Sequence, residues 1–572
     1  MTEEKITEYQ TTYDAIVIGT GISGGWAAKE LCENGLKTLV LDRGRMVKHI
    51  EDYPTMHLDP WDLKHRGKFT DGDIKGHTKN RRSGFINQYS KHWFANYEEH
   101  PYNESKKFDW IRGYHVGGRS IMWGKQSYRW SEMDFEANKK DGHGVDWPIR
   151  YKDIEPWYDK VEKFIGVSGQ NLGLSHLPDG KLSDPMELNC VELDLQEKLK
   201  DEFDDDRLLT IGRVAHLTGN AMHEGRSNCQ FRARCVRGCP FGGYFSSNSS
   251  TLPAAERTGN MHLRPDSIAY EIAYDEKTGL ASGVKVIDAN TKEKIFFKAA
   301  IIFNCASAIA STSILMQSKS KRFPNGMGND SGELGHNLMD HHYGIGASAE
   351  VEGFDDKYYK GRRPNGFYIP RFKNLGNDKT NTKNYVRGFG YQGGASRTNW
   401  QHAVAELSFG KALKDKALKP GPWRIGMGGF GECLPYHENK MILDNNKLDA
   451  WGLPTITFDA EIKENERNMR KDMKAQAVAM LKAAGYKNVR GHEREPILGA
   501  CIHEMGTARM GKDPKTSVLN KHNQIHAVPN VYMTDGACMT SSACQNPSLT
   551  YMALTARAAN HATTEFKKNK NT

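Results

Sequence analysis

The sequence predicts an α/β fold in which a parallel-sheet domain, assembled from both ends of the chain, is interleaved with an α+β domain. Three observations predict it. Ala15-Ile16-Val17-Ile18 and Thr38-Leu39-Val40-Leu41 are short apolar runs suited to strands buried on both faces, with a helical pattern between them. Ala299-Ala300-Ile301-Ile302-Phe303-Asn304-Cys305-Ala306 is another such run, followed by an Ala/Ser-rich helix to about Ser318, and Val531-Tyr532-Met533-Thr534 adds one more near the C-terminus. From about residue 340 to Gly499 the composition shifts to strand-like segments and loops with many aromatics. At 572 residues the chain is too long for one ordinary core and suits two domains.

The first unit is the most specific. Gly19-Thr20-Gly21-Ile22-Ser23-Gly24 is a GxGxxG loop between the first strand and a helix with Ala27, Ala28, Leu31 and Cys32 on one face and Gly35 as its stop. Gly19 allows the tight turn, Gly21 lets a pyrophosphate approach the backbone, and Gly24 lets helix and strand pack closely. The helix N-terminus offers free N–H groups to phosphates. Asp42, followed by Arg43, sits where an acid accepts from a ribose hydroxyl. Strand, loop, helix, strand and acid in order predict a Rossmann-type dinucleotide site. This stretch fits FAD and NAD alike.

Residues 46–110 are polar, aromatic and without period, a lid or an oligomer contact. In Arg112–Gly124 the glycine density of Gly117, Gly118 and Gly124 brings backbone against something flat or close, a cofactor ring or a tight structural loop. Residues 151–165 have helical spacing, with Ile154, Trp157, Tyr158, Val161 and Phe164 on one face. A loop-like stretch, 225–245, carries Cys229, Cys235 and Cys239. Ser267–Tyr274, Ser282–Asp288 and Lys294–Lys298 suit a small antiparallel sheet. Residues 325–342 are glycine-rich and mark a crossover, and Glu461–Ala484 reads as a helix stopped by Gly485.

The net charge of +9 is spread along the chain; clusters such as Lys79-Asn80-Arg81-Arg82 are short, carry no nucleic-acid motif and read as solvated surface. Residues 1–12 contain no apolar export core and no twin arginine, and no window is apolar enough to span a bilayer. The expected location is therefore cytoplasmic, or periplasmic by co-export with a partner subunit. Ten cysteines in a chain of this length are not a disulfide scaffold.

Two residues near the C-terminus could carry catalysis. Removing hydride from a carbinol carbon needs a base for the hydroxyl proton, and neutral histidine has the right pKa: His503 is the candidate. Asn546, in Gln545-Asn546-Pro547-Ser548-Leu549-Thr550 at the start of an apparent helix, could hold the same oxygen. Either alone is more often structural, as a satisfied buried histidine or a helix cap.

Together these motifs resemble the glucose–methanol–choline (GMC) flavoprotein oxidoreductases over nearly the whole chain: Tyr13–Gly44, Val116–Gly124, the Cys-Pro loop, and His503 through Asn560. The resemblance implies FAD as the dinucleotide and an architecture similar to p-hydroxybenzoate hydroxylase. Residues 1–335 and 500–572 would bind FAD, and 336–499 the substrate. His503 and Asn546 would sit over the flavin; the Asn-Pro form resembles the pyranose-oxidase and cholesterol-oxidase side of the family. The implied FAD contacts are Gly19, Gly21, Ile22, Ser23, Gly24, Asp42, Arg43, Gly117, Gly118, Ser120, Met122, Trp123, Gly124, Asp535, Gly536, Asn546, Pro547, Leu549 and Thr550. Some relatives carry a flavin-linked histidine just before this tryptophan; Met122 rules out that bond, so FAD is expected to be non-covalent.

Cys229, Cys235 and Cys239-Pro240 form C-x5-C-x3-C-P, and thiolates so spaced can hold iron and sulfide, whereas structural zinc wants a fourth ligand. The spacing is similar to that of bacterial FAD-dependent sugar dehydrogenases, where it implies a 3Fe-4S cluster relaying electrons to a cytochrome. Those relatives have a further cysteine beside the first; here it is Gln230. Many other members keep only the Cys-Pro part, without a cluster, so plain thiols are the alternative here. The expectation is an FAD-dependent dehydrogenase acting on a secondary hydroxyl of a sugar or glycoside, with glucoside 3-dehydrogenase as the leading candidate. A small partner subunit and a cytochrome c acceptor are implied. Tyr343, Tyr391, Gln392, Trp400 and Gln401 would suit a sugar face. The rivals are an oxygen-using oxidase, a NAD-dependent dehydrogenase and a non-catalytic FAD-bound subunit.

Overall fold

The computed structural model describes residues 6–83, 85–204, 206–219, 223, 225–357, 366–397, 409–418 and 421–571. Its first sheet runs, in spatial order, Gln524–Ile525, Val528–Met533, Lys294–Asn304, Thr7–Ile18, Thr38–Leu41, Met261–Arg264. Thr7–Ile18 lies at the centre, parallel to Thr38–Leu41 on one side (Ala15 opposite Thr38) and to Lys294–Asn304 on the other (Ala15 opposite Ile301). Val528–Met533, from the far end of the chain, extends the same sheet with Val531 opposite Ile302. The α/β reading and the joining of the two termini therefore hold.

One expectation changes. The runs 294–298 and 299–306 are a single strand, Lys294–Asn304. It pairs parallel with Thr7–Ile18 from Ile295 to Asn304; its first half also pairs antiparallel with Leu280–Asp288 and alternates in burial, and residues 301–304 are buried throughout. No turn residue separates the two halves, so the backbone runs straight from one environment into the other.

The helix Ile22–Glu33 follows the glycine loop and ends at Asn34 and Gly35, the latter at φ 85°. Its small face, Ala27 and Ala28 with Leu31, packs against Ala558, Ala559 and Ala562 of the C-terminal helix Ser548–Asn571 and against Ala255 of Thr251–Arg257. Alanine-on-alanine contact brings the helix axes close. That closeness packs the C-terminal helix tightly against the first strand–loop–helix unit.

The second sheet is antiparallel, in the order Lys487–Glu493, Ile345–Val351, Trp423–Gly431, Phe389–Arg397, Phe367–Ile369, Thr210–Ile211. One face is buried by two helices. Glu464–Ala483 contributes Met469, Met473, Ala477 and Met480, and Cys190–Phe203 contributes Val191, Leu195 and Leu199. Each of these Met, Val and Leu side chains is worth about 1.5–3 kcal/mol on burial. The helix read as starting at Glu461 begins at Glu464, where Glu466 Oε2 accepts from the Lys463 backbone N–H at 2.9 Å. Residues 190–211 thus pack with the second core. Conversely, the hairpin Lys440–Leu448/Pro454–Asp459 pairs with Asn103–Glu104 and buries Met441, Ile456 and Phe458 in the first core.

Residues 46–110 wrap the first domain as short helical turns, with Phe85, Ser90, Phe94, His100, Pro101 and Trp110 on the wall of a large cavity. Among the described residues no helix is long and apolar enough to cross a membrane.

Candidate active site

A cavity of about 460 Å³ runs from the glycine loop and Asp42 to His503 and Asn546. Its near end is built by the first strand–loop–helix. Gly19 sits at φ 96°, where a Cβ would strike the Cys305 carbonyl. At Gly24 a Cβ would lie 1.9 Å from the Gly19 carbonyl oxygen, so this glycine closes the turn. At Gly21 an added Cβ meets no protein atom within 4 Å, and Gly21 faces the cavity. The backbone is open there, as a pyrophosphate requires.

Asp42 is buried, accepts from the Gly44 N–H at 2.9 Å and from the Thr20 hydroxyl, and has its pKa pushed up to about 6 by burial. Thr20 in turn accepts from the Gly117 N–H at 2.8 Å, which ties the two glycine motifs together. Arg43 bonds Asp449 at 3.2 Å and lies over the Tyr114 ring.

Gly117 itself packs against Asn248 in the left-handed region, behind the wall. Gly118, Ser120, Met122, Trp123 and Gly124 line the cavity, with Trp123 Nε1 donating to the Phe245 carbonyl at 2.9 Å. Arg119 makes a bidentate pair with buried Glu504 at 3.2 and 3.0 Å and donates to Ser307 Oγ at 2.8 Å. Glu504 and Ser307, neither singled out from the sequence, thereby fasten the second glycine motif to the segment carrying His503. Ser307, at φ 80°, carried no recognisable signal.

Asp535 and Gly536 reach the wall, and the preceding Thr534 carbonyl accepts from Ser23 Oγ at 3.4 Å. Asp535 accepts from Ser311 Oγ at 2.5 Å and the Ala537 N–H at 3.0 Å. Leu549 is in the core, Thr550 bonds Tyr158 at 2.8 Å, and the Pro547 carbonyl accepts from the Tyr551 N–H. None of these three is on the cavity wall. They, with Gly24 and Gly117, hold the lining in place from behind.

His503 and Asn546, 43 positions apart, meet at 3.4 Å between His503 Nε2 and Asn546 Nδ2. Asn546 Oδ1 accepts from Gln392 Nε2 at 2.6 Å, which fixes the amide with its nitrogen toward the histidine. His503 Nδ1 lies 2.8 Å from His341 Nδ1 and 3.4 Å from Cys501 Sγ. Its backbone N–H donates to Asp340 at 3.0 Å. Burial holds His503 well below its ordinary pKa, His341 and Arg119 adding to it, so the ring is neutral near pH 7. Burial pushes Asp340 up to about 7, with Glu504 adding to it.

Gln392 and Tyr343 line the cavity as expected of a polar substrate wall, together with Phe430. Tyr391 does not: strand alternation turns it to the helix side, where its hydroxyl donates to the Met473 carbonyl at 2.5 Å. Trp400 and Gln401 lie outside the described residues.

Family models for GMC oxidoreductases match residues 13–343 and 435–555. The chain belongs to the GMC oxidoreductase family. Among curated GMC-type relatives, it is 27% identical to a 2-methyl-1,2-propanediol dehydrogenase of Mycolicibacterium austroafricanum, covering 97% of this chain and 95% of that one. It is 24% identical to the fructose dehydrogenase large subunit of Gluconobacter japonicus, covering 97% and 98%. The fold matches a formate oxidase of Aspergillus oryzae RIB40 at a TM-score of 0.60 with 14% identity, covering 99% and 100%. This GMC protein is thus an FAD-dependent oxidoreductase acting on CH–OH donors, and the residues present fit the cofactor. The backbone at Gly21 is open to a pyrophosphate, and Arg43 and Arg112 on the same wall are cations suited to an anionic dinucleotide.

The cysteine loop borders the same cavity. Val236, next to Cys235, lines it, as does Lys125. Lys125 is buried, lowered to about 8 by desolvation, and faces Cys235 and Cys239. Among the described residues, the one trio of metal-type ligand atoms within 4.8 Å is His341, Cys501 and His503. His341 Nδ1 and His503 Nδ1 stand 2.8 Å apart, a hydrogen-bond distance and shorter than the roughly 3.3 Å between two nitrogens on one tetrahedral zinc.

Proposed function

We propose that this protein oxidises a secondary hydroxyl of a sugar or glycoside, with glucoside 3-dehydrogenation as the leading form, and delivers the electrons to a cytochrome or other acceptor rather than to oxygen. The observation that carries the reading is the His503–Asn546 pair at the polar end of the cavity. FAD, held by the glycine loop, Asp42 and the Gly118–Gly124 segment, supplies the hydride acceptor. His503 Nε2, unprotonated, takes the hydroxyl proton; Asn546 Nδ2 donates to the same oxygen and fixes its direction. Gln392 keeps that amide from turning. The N-terminus of Ser548–Asn571 stabilises negative charge beside the pair. Residues 336–499 form most of the substrate wall in this reading; 1–335 and 500–572 hold the cofactor.

For the exit of electrons we assign Cys229, Cys235 and Cys239 to a 3Fe-4S cluster. A cluster with its own sulfides needs its thiolates farther apart than a single ion does. These three thiols do not all close to within 4.8 Å, yet besides burial Cys235 and Cys239 both raise the pKa of Cys229. Lys125 beside them offsets the charge, and Val236 sets the loop against the cofactor cavity. A likeness to the fructose dehydrogenase large subunit supports a sugar substrate and an assembly with a smaller partner subunit.

His503→Ala should retain FAD and lose about a hundredfold or more in turnover; turnover left intact would favour a non-catalytic subunit. A panel of sugars and glycosides with a dye acceptor, product regiochemistry read by NMR, tests the substrate. Fast peroxide formation without acceptor would instead mark an oxidase. Anaerobically purified protein free of iron and sulfide would sink the cluster.

A further inference from the structure

Four hydrogen bonds run in one direction through the catalytic end. Gln392 Nε2 donates to Asn546 Oδ1 at 2.6 Å, and Asn546 Nδ2 faces His503 Nε2 at 3.4 Å. His503 Nδ1 and His341 Nδ1 are 2.8 Å apart, and His341 Nε2 is bonded to the Ala543 carbonyl. The two ends decide where every proton lies. A carbonyl only accepts, so His341 carries its proton on Nε2 and presents a lone pair at Nδ1. That lone pair takes the Nδ1–H of His503. The remaining nitrogen, His503 Nε2, is then bare, and it is the one facing the Asn546 amide and the cavity.

We infer that His341 is the positioning residue that holds His503 in the tautomer able to act as base. The inference rests on the reading of His503 as that base. As hydride leaves the carbinol carbon, the hydroxyl proton passes to His503 Nε2, and the resulting imidazolium keeps its Nδ1–H on His341. The partner is a neutral ring rather than a carboxylate. Asp340, the adjacent acid, is engaged by the backbone N–H groups of Cys501 and His503. Glu504, the other acid nearby, is held by Arg119. Among the described residues the other titratable neighbours are the Cys501 thiol, Tyr343 and His342, each held neutral near pH 7 by burial. A neutral acceptor fixes the tautomer without making the base so strong that it is protonated before substrate arrives.

His341 lies 162 positions from His503, in the glycine-rich crossover. It is 1% exposed and does not line the cavity, so it touches neither substrate nor cofactor space.

The test is anaerobic stopped-flow reduction of the holoenzyme, followed at the flavin band and normalised to FAD content. His341→Phe removes the acceptor, and flavin reduction should slow about a hundredfold. Its acid limb should move to lower pH, since the imidazolium loses the lone pair that stabilises it. His341→Asn puts Oδ1 where Nδ1 stood and should restore most of the rate. A merely structural role would change FAD content or folded fraction and leave the limb in place.

His503→Ala is run alongside. If it is inactive while FAD-loaded His341→Phe reduces at the wild-type rate with an unmoved limb, this inference fails and the base assignment stands. If His503→Ala turns over normally, the base assignment itself fails. A second measurement needs no change at 341. In histidine-¹⁵N-labelled holoenzyme, the His503 signals, identified by their loss in His503→Ala, should show Nδ1 protonated and Nε2 bare; the reverse overturns the inference.

Discussion

Gly21 and Gly24 are three positions apart in one loop, and the structure predicts opposite consequences for the same substitution. At Gly24 a methyl would fall 1.9 Å from the Gly19 carbonyl oxygen and 2.6 Å from its carbon. Both are backbone atoms of the strand's end, so neither can swing aside; Gly24→Ala must push the helix Ile22–Glu33 off the sheet. Overpacking of this kind costs about 1–3 kcal/mol in the folded apoprotein. At Gly21 the methyl meets no protein atom within 4 Å, and φ is −67°, which any residue adopts. Gly21→Ala should leave apoprotein stability unchanged to within about 0.5 kcal/mol. Its methyl does occupy the face that a pyrophosphate must approach, and the same 1–3 kcal/mol then falls on binding alone, about five- to 150-fold in the FAD dissociation constant. Apoprotein would be prepared for both variants, unfolded in urea, and titrated with FAD by flavin fluorescence. Gly21→Ala binding FAD as tightly as wild type, or unfolding as early as Gly24→Ala, would refute the assignment of Gly21 to the cofactor and Gly24 to the fold.

Two further outcomes follow from buried charge. Because burial lifts Asp42 to about 6, above the roughly 3.9 of a free aspartate, the folded apoprotein holds that proton more tightly than the unfolded chain. The stability this contributes is whole below about pH 4 and is lost as pH rises through about 6. Asp42→Asn should therefore gain roughly 2 kcal/mol on wild-type apoprotein between pH 4.5 and 7.5 while retaining FAD less well. Urea midpoints that move in parallel with pH would contradict this. Arg119→Met leaves the Glu504 carboxylate, 1% exposed, without its cation and should cost about 3–5 kcal/mol. Arg119→Met with Glu504→Gln should recover much of that loss. A single substitution costing under about 1 kcal/mol in urea unfolding would mean the pair is not a structural tie.

The nucleotide end of the site was legible because its chemistry is local. Tight turn, open backbone face and helix N-terminus all fall within Gly19–Gly24, and the acid closes the next strand. The His503–Asn546 pair was legible as residues and motifs, but not as geometry. Nothing local states that His503 and Asn546 face each other, that Gln392 locks the amide, or that His341 lies behind the ring. Gln392 and Tyr391 are neighbours with equal claim to a sugar wall, and strand alternation gives the cavity to one and the helix face to the other. Leu549 and Thr550 carried a family likeness, yet the helix turns them to the core and to Tyr158.

By itself the sequence determined the α/β class, the buried apolar strand runs near both chain ends, and the dinucleotide turn. Each of those depends on apolar runs and glycine spacing within about twenty residues. Only the tertiary structure decided which nitrogen of His503 is bare, which glycines face ligand and which face protein, and where the cysteine loop lies relative to the cavity. Those properties depend on hydrogen-bond direction and steric contact between segments hundreds of residues apart, and packing alone brings such segments together.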